Sequence, residues 1–187
     1  MERSFCLHHG TIKEYAESII SSQKFCFNKR EDHWLGNGVY FYVDDFEQAK
    51  IWAGLCKKNF LKKLKKTGET PLHENTNEVV FELNYTVDKA DYLNLDSITD
   101  SMKLDKFIEE LKEIGTEINS DNKHKAMCMI LDFYVEYYEI KAAKYTFTNK
   151  SRNDNLSYLG IEKHGEQFCI YDVDSINFSN VTKKEVV

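Results

Sequence analysis

Stretches with the two-residue rhythm of strands and stretches with the 3.6-residue rhythm of helices alternate through the first third of this chain, and then the alternation stops. That break restricts the fold more than any single motif does. Phe5 to His9 reads as a short buried strand. Thr11-Ile12-Lys13-Glu14 has the form of a capping box, with Ile12, Tyr15, Ala16, Ile19 and Ile20 following on one helical face. Lys24 to Asn28 is a further strand candidate. Gly38 to Val43, rich in β-branched and aromatic residues, is another. Asp44-Asp45 then offer an N-cap to a helix carrying Phe46, Ala49, Trp52, Ala53 and Cys56. Beyond a loop from Lys66 to Asn77, Glu78 to Val87 alternates as a strand and leads to Tyr92–Leu95. Two helices are expected next, Thr99–Ile114 and Lys123–Tyr145, then a polar loop at Asn149–Asn155. The terminal strands are expected at Leu156–Ile161, Gln167–Tyr171 and Ser175–Phe178. Strands and helices are too intermixed for a sandwich of strands alone. The βα alternation is also too short-lived for a doubly wound sheet. The expectation is one α+β domain over residues 1–187, with two small sheets and flanking helices.

Composition narrows the setting. Hydrophobic residues make up 42% and charged residues 30%, the balance of a soluble globular chain. No apolar run reaches the roughly 18 residues a membrane-spanning helix needs. The first residues enter a strand rather than a signal-peptide core, so a cytoplasmic protein without a membrane partner is expected. The five cysteines (Cys6, Cys26, Cys56, Cys128 and Cys169) are odd in number and show no CxxC pairing. With no HExxH near His8 and His9, the expectation is reduced thiols and no metal site. A net charge of −6 argues against nucleic-acid binding over the whole surface. Six lysines nevertheless fall in the ten residues Lys57–Lys66. The plain reading is a solvated helix end or loop; the functional reading is a patch that attracts phosphate.

Two short segments carry the chemistry. His9-Gly10-Thr11 ends the first strand, which sets an imidazole and a hydroxyl at the lip of a sheet. The glycine leaves the backbone bare enough for a flat amide to approach. Leu35-Gly36-Asn37-Gly38-Val39-Tyr40-Phe41 follows, where the glycines turn the chain before Tyr40 offers a π-face for a heteroaromatic ring. Gly36-Asn37-Gly38 precedes a strand and lacks the third glycine of a dinucleotide-fold fingerprint, and there is no phosphate-binding GxxxxGK[ST] loop. Taken singly, each residue has a structural explanation: a satisfied core histidine, a half-buried strand tyrosine, ordinary turn glycines. A nucleophilic Cys6–His9 pair is disfavoured, because residues three apart on a strand point to opposite faces.

Taken in order, Leu7-His8-His9-Gly10-Thr11, a helix, Leu35 to Phe41 and a helix from about Asp45 resemble the poly(ADP-ribose) polymerase and diphtheria-toxin branch of the ADP-ribosyltransferases. The resemblance implies a split β-sandwich of two small sheets around an NAD cleft. It implies that the Gly10 backbone holds the nicotinamide carboxamide, that His9 and Thr11 bond the sugar portion of NAD, and that Tyr40 stacks on the nicotinamide. The family's small hydroxyl residue and second stacking tyrosine correspond to Gln48 and Ile51, with Trp52 beside them as a replacement aromatic wall. The resemblance covers about a quarter of the chain and leaves the middle helices unmatched.

The third motif departs from the pattern. Aligning Cys169-Ile170-Tyr171-Asp172 with the family strand puts Gln167 where a catalytic glutamate is expected and leaves Glu166 on the opposite face of a regular strand. Glutamine keeps an acceptor oxygen but no charge with which to stabilise a cationic ribose. The implied activity is mono-ADP-ribosyl transfer from NAD, as co-substrate, to a protein or nucleic-acid acceptor. An NAD glycohydrolase and a catalytically inactive nucleotide- or protein-binding module stay open beside it. By analogy alone, the chain fits a toxin or phage-defence effector with an antitoxin or immunity protein as partner.

Overall fold

A computed structural model of the protein describes residues 1–71, 76–118, 122–149 and 163–186. In chain order the elements are β1 (Glu2–Ile12), α1 (Lys13–Ser22), β2 (Val39–Val43), α2 (Phe46–Thr67), β3 (Glu78–Asp88), β4 (Tyr92–Asn94), α3 (Ile98–Glu113), α4 (Lys123–Tyr138), β5 (Ala142–Asn149), β6 (Lys163–Ile170) and β7 (Val181–Glu185). The content is mixed α and β. The chain forms two compact units, each discontinuous in sequence. One gathers residues 2–26, 39–86 and 172–187; the other gathers Met1 with residues 27–38 and 87–171.

In the first unit the strands neighbour one another in the order β2-β1-β3-β7. β1 and β2 are antiparallel, with Leu7 opposite Val43 and His8 opposite Tyr42. β3 and β7 are antiparallel from Val79↔Glu185 to Leu83↔Val181. Phe25, Phe41 and Phe81 pack edge to face at 5.4–5.6 Å between centroids, an apolar nucleus for the unit. Helix α2 begins where expected: the Asp45 carboxylate accepts the Gln48 amide at 2.9 Å. It ends at Gly68, in the left-handed region. Its buried residues are Ala49, Ala53 and Phe60. A Cβ on Gly10 would lie 1.9 Å from the Ala49 carbonyl oxygen, so the glycine is what lets the helix lie directly on β1.

In the second unit the order is β4-β5-β6. β4 and β5 are parallel, and β5 and β6 are antiparallel through an unbroken register from Ala142↔Ile170 to Asn149↔Lys163. Tyr134 of α4 is buried and meets Phe107 of α3 edge to face at 5.2 Å, a packing role, whereas Tyr137 is 72% exposed. The Asn122 side chain caps α4 by accepting the amides of His124 and Lys125.

Several expected elements are corrected. Thr11 does not cap α1: it is buried inside β1, which runs on to Ile12, and no side chain caps the helix. Lys24–Asn28 forms no strand, although Phe25 is buried. Helix α4 stops at Tyr138, not Tyr145, because Glu139 takes a left-handed conformation and β5 starts at Ala142. Ser175–Phe178 is not a strand; short 3₁₀ turns at Val173–Ser175 and Phe178–Asn180 precede β7. The lysine run, by contrast, is the helix end of the plain reading: it forms the C-terminal half of α2, where cations complement the helix dipole. The strand expected at Leu156–Ile161 lies outside the described residues. Among the described residues no helix is long and apolar enough to cross a membrane.

Candidate functional site

His9 follows Leu7 and His8, which pair with Val43 and Tyr42 of β2, and its side chain also reaches that strand. Nδ1 is 2.8 Å from the Tyr40 carbonyl oxygen. A carbonyl only accepts, so Nδ1 carries the proton and donates it. The ring is wedged between Phe25 and Phe41, at 5.3 and 5.5 Å between centroids. Burial pushes its pKa below the ordinary value, against the opposing pull of the Tyr40 carbonyl, so the ring is neutral near pH 7. A neutral imidazole with Nδ1 protonated presents Nε2 as a bare acceptor. Among the described residues, Nε2 makes no hydrogen bond. The chain has thus fixed a hydrogen-bond acceptor of known polarity.

The neighbours of His9 are arranged less simply. One side of Gly10 is occupied by the α2 backbone, and Thr11 is only 4% exposed, within the strand rather than at its lip. Tyr40 is half-buried and alternates on β2 with buried Val39 and Phe41, so its ring leaves the strand on the side away from Phe41. The tyrosine and histidine are therefore joined through backbone, not ring to ring. On α2, Gln48 and Trp52 are one turn apart and share a helix side next to the Ala49–Ala53 stripe that presses on β1. Trp52 is 48% exposed, which removes the core-packing reading of that residue.

In the other unit, the unbroken β5–β6 ladder settles which side each third-motif candidate takes. Tyr145 is opposite Gln167, and Thr146 is opposite Glu166, with no bulge to exchange them. The Glu166 carboxylate is ion-paired with Lys144, which also binds Asp96 at 2.7 Å. Asp96 in turn accepts the Thr146 amide at 3.0 Å and its hydroxyl at 2.9 Å. Burial would lower the Lys144 pKa, but the bonds to Asp96 and Glu166 hold it above the ordinary lysine value. Gln167 is half-buried on the opposite face, with Tyr145.

The glycine segment before β2 has an anchor that sequence reasoning missed. Gly36 turns at φ +75°. The Asn37 amide donates to Asp132 Oδ1 at 2.7 Å, and its side-chain Nδ2 donates to Asp132 Oδ2 at 2.6 Å. Asn37 also exchanges bonds with the Arg30 backbone at 2.8 and 3.0 Å. The Tyr171 hydroxyl donates to the Leu35 carbonyl at 2.6 Å. Asn37 therefore clamps the segment to α4. A cavity of about 400 Å³ opens beside it, lined by Arg30, Asn37, Lys125, Cys128, Asp132 and Phe133. Nothing local in the sequence marks the partner, which is 95 residues away.

A second unforeseen cluster lies in the first unit. Cys6 and His8, two apart on β1, project from one face and meet Glu82 of β3. Sγ is 4.0 Å and Glu82 Oε2 3.2 Å from His8 Nε2. Lys184 of β7 also binds Glu82 and holds its carboxyl below the ordinary range. The sequence-based expectation of no His/Cys cluster took account of neighbours along the chain, and Glu82 is 74 residues from His8.

No family model matches this chain. It is 40% identical over 53 residues to the uncharacterized protein MJ0359 of Methanocaldococcus jannaschii, a match that takes in 28% of this chain and 24% of that protein. The match thus spans about a quarter of the relative's length.

Proposed function

We propose that this protein transfers single ADP-ribose units from NAD to a macromolecular acceptor. The observation that carries the reading is the fixed state of His9: neutral, protonated on Nδ1 by its bond to the Tyr40 carbonyl, with Nε2 left as acceptor. A sugar hydroxyl of NAD is the donor such a nitrogen suits. Tyr40, whose ring leaves β2 on the side away from Phe41 and His9, and half-exposed Trp52 are the aromatic residues that the family pattern assigns to the nicotinamide, and Gln48 lies one turn from Trp52 on the same helix side.

In the reaction, the bond between nicotinamide and ribose breaks with its electron pair leaving on nicotinamide. The ribose becomes cationic, and an acceptor nucleophile attacks that carbon and loses its proton. In the family pattern the third-motif position supplies a charge that stabilises the cationic sugar, and the residue that alignment puts at that position in this sequence is Gln167. Its amide oxygen accepts a hydrogen bond but brings no charge, at a cost of about two to three orders of magnitude in rate. Slow single transfer fits this better than chain elongation. The lysines of α2 that pair with no carboxylate among the described residues (Lys58, Lys62, Lys65 and Lys66, all exposed) favour an anionic acceptor.

A second reading has its own support. Glu166, the only carboxylate adjacent to Gln167, is committed to Lys144, so NAD binding with slow hydrolysis and no transfer is the alternative. Incubation with NAD labelled on the adenylate, with cell lysate and with RNA or DNA, separates the two. Label in macromolecules supports transfer, and free ADP-ribose alone supports hydrolysis. If the pure protein neither binds NAD nor releases nicotinamide, both readings fail.

A further inference from the structure

We propose that Cys6, His8 and Glu82 form a binding site for one zinc-class divalent cation, with a fourth coordination position open to water. The three ligand atoms, a thiol sulfur, an imidazole nitrogen and a carboxylate oxygen, all lie within 4.8 Å of one another. Around a tetrahedral zinc, with Zn–S of about 2.3 Å and Zn–N or Zn–O of about 2.0 Å, adjacent donors stand roughly 3.3–3.7 Å apart. The present separations of 3.2 Å (Nε2 to Oε2) and 4.0 Å (Sγ to Nε2) bracket that range. The third separation, Sγ to Oε2, is within 4.8 Å, so side-chain rotation has to bring Cys6 and Glu82 closer together around the ion.

Convergence also separates a cation site from a nucleophilic relay. In a thiol–imidazole–carboxylate relay the sulfur and the carboxylate use different ring nitrogens. Here both approach Nε2, while Nδ1 is buried with no hydrogen-bond partner among the described residues. Groups gathered around one point, rather than strung through a ring, suit a shared ion. The charges agree: a divalent cation at this point would meet the Glu82 carboxylate, which lies on the same imidazole nitrogen as the Cys6 sulfur, and would bind the sulfur as thiolate. The mixed sulfur, nitrogen and oxygen set excludes magnesium or calcium as preferred occupants.

Lys184 is the built-in competitor. Its ammonium binds Glu82 Oε2 at 2.5 Å and lies 5.8 Å from the Phe46 ring centroid, but its side chain is 44% exposed and free to swing into solvent. On cation binding the Cys6 proton leaves to solvent, the His8 proton moves from Nε2 to Nδ1, and Lys184 gives up the carboxylate. The buried Nδ1–H then lacks an acceptor, which holds affinity below that of a four-ligand structural zinc site.

The test is titration of the full chain with cobalt(II) under reducing conditions, followed by absorbance. One equivalent is expected to give tetrahedral visible bands and a near-ultraviolet thiolate-to-metal band, both displaced by zinc. Cys6→Ser abolishes the thiolate band, Cys56→Ser leaves it, and Lys184→Met tightens binding about tenfold or more. To guard against misfolding of Cys6→Ser, alkylation of the unaltered protein is mapped by mass spectrometry, where zinc should protect Cys6 and not exposed Cys26. Absence of a thiolate band, its persistence in Cys6→Ser, equal protection of both cysteines, or no gain with Lys184→Met overturns the assignment.

Discussion

His9 and Glu166 are both groups a nucleotide-processing site would use, and the chain treats them in opposite ways. His9 spends one nitrogen on the Tyr40 carbonyl and keeps the other as an acceptor. Glu166 spends its charge on Lys144, in a network closed by Asp96 and Thr146. The first arrangement leaves an acceptor nitrogen unbonded among the described residues; the second neutralises a charge. Under the proposed transferase reading, this contrast predicts that NAD binding survives better than stabilisation of a cationic sugar.

The sharpest way to break that contrast is to restore the missing charge. Gln167→Glu is expected to raise nicotinamide release about 10²-fold at saturating NAD, since a well-aimed charge at a developing cation is worth that much. Glu166→Gln is expected to leave the rate unchanged and to cost about 1 kcal/mol or less in urea unfolding, because Lys144 keeps Asp96 as partner. An equal effect of the two substitutions would erase the distinction between the two faces of β6.

Next in size is Gly10→Ala. The added carbon meets the Ala49 carbonyl oxygen at 1.9 Å, a backbone atom that yields only if α2 moves off β1. A loss of about 2 kcal/mol in urea unfolding is expected. A loss below about 1 kcal/mol would show that the helix–strand contact is looser than described and that Gly10 is free for a ligand.

The smallest effect is in pH. Burial lowers the His9 pKa in the folded state below its unfolded value near 6.5, so the unfolded chain binds the extra proton first as pH falls. The stability tied to neutral His9 is present above 6.5 and drains away below it, until the folded pKa is passed. The slope is at most about 1.4 kcal/mol per pH unit. Unfolding curves of the wild type and His9→Gln between pH 7.5 and 5 should diverge on the high-pH side and converge toward acid; parallel curves would mean that the ring is not buried neutral.

What could be read from the chain divides along a physical line. Local chemistry was legible: Asp45 as the cap of α2, Gly38–Val43 as a strand, and the opposed faces of Glu166 and Gln167 all follow from neighbouring residues. Helix α4 was overextended because Tyr134, Tyr137, Tyr138 and Lys141 keep the helical phase, and Glu139 stops the helix in a left-handed turn without the usual glycine or asparagine signal. Strand β7, Val-Thr-Lys-Lys-Glu, is too polar to announce itself, and it is the outermost strand of its unit. The Asn37–Asp132 clamp and the Cys6–His8–Glu82 cluster join residues 95 and 74 positions apart, and no pattern in one sequence records such a meeting.

The central claim is that the β1–β2–α2 region binds NAD through an oriented His9 and the aromatic faces of Tyr40 and Trp52. Calorimetric titration of NAD into the wild type, Tyr40→Ala and the surface control Met102→Ala tests it most directly. Saturable one-to-one binding in the wild type and the control, lost by tenfold or more in Tyr40→Ala with the fold intact by circular dichroism, is the predicted result. No heat with the wild type, or equal affinity in all three proteins, would contradict it.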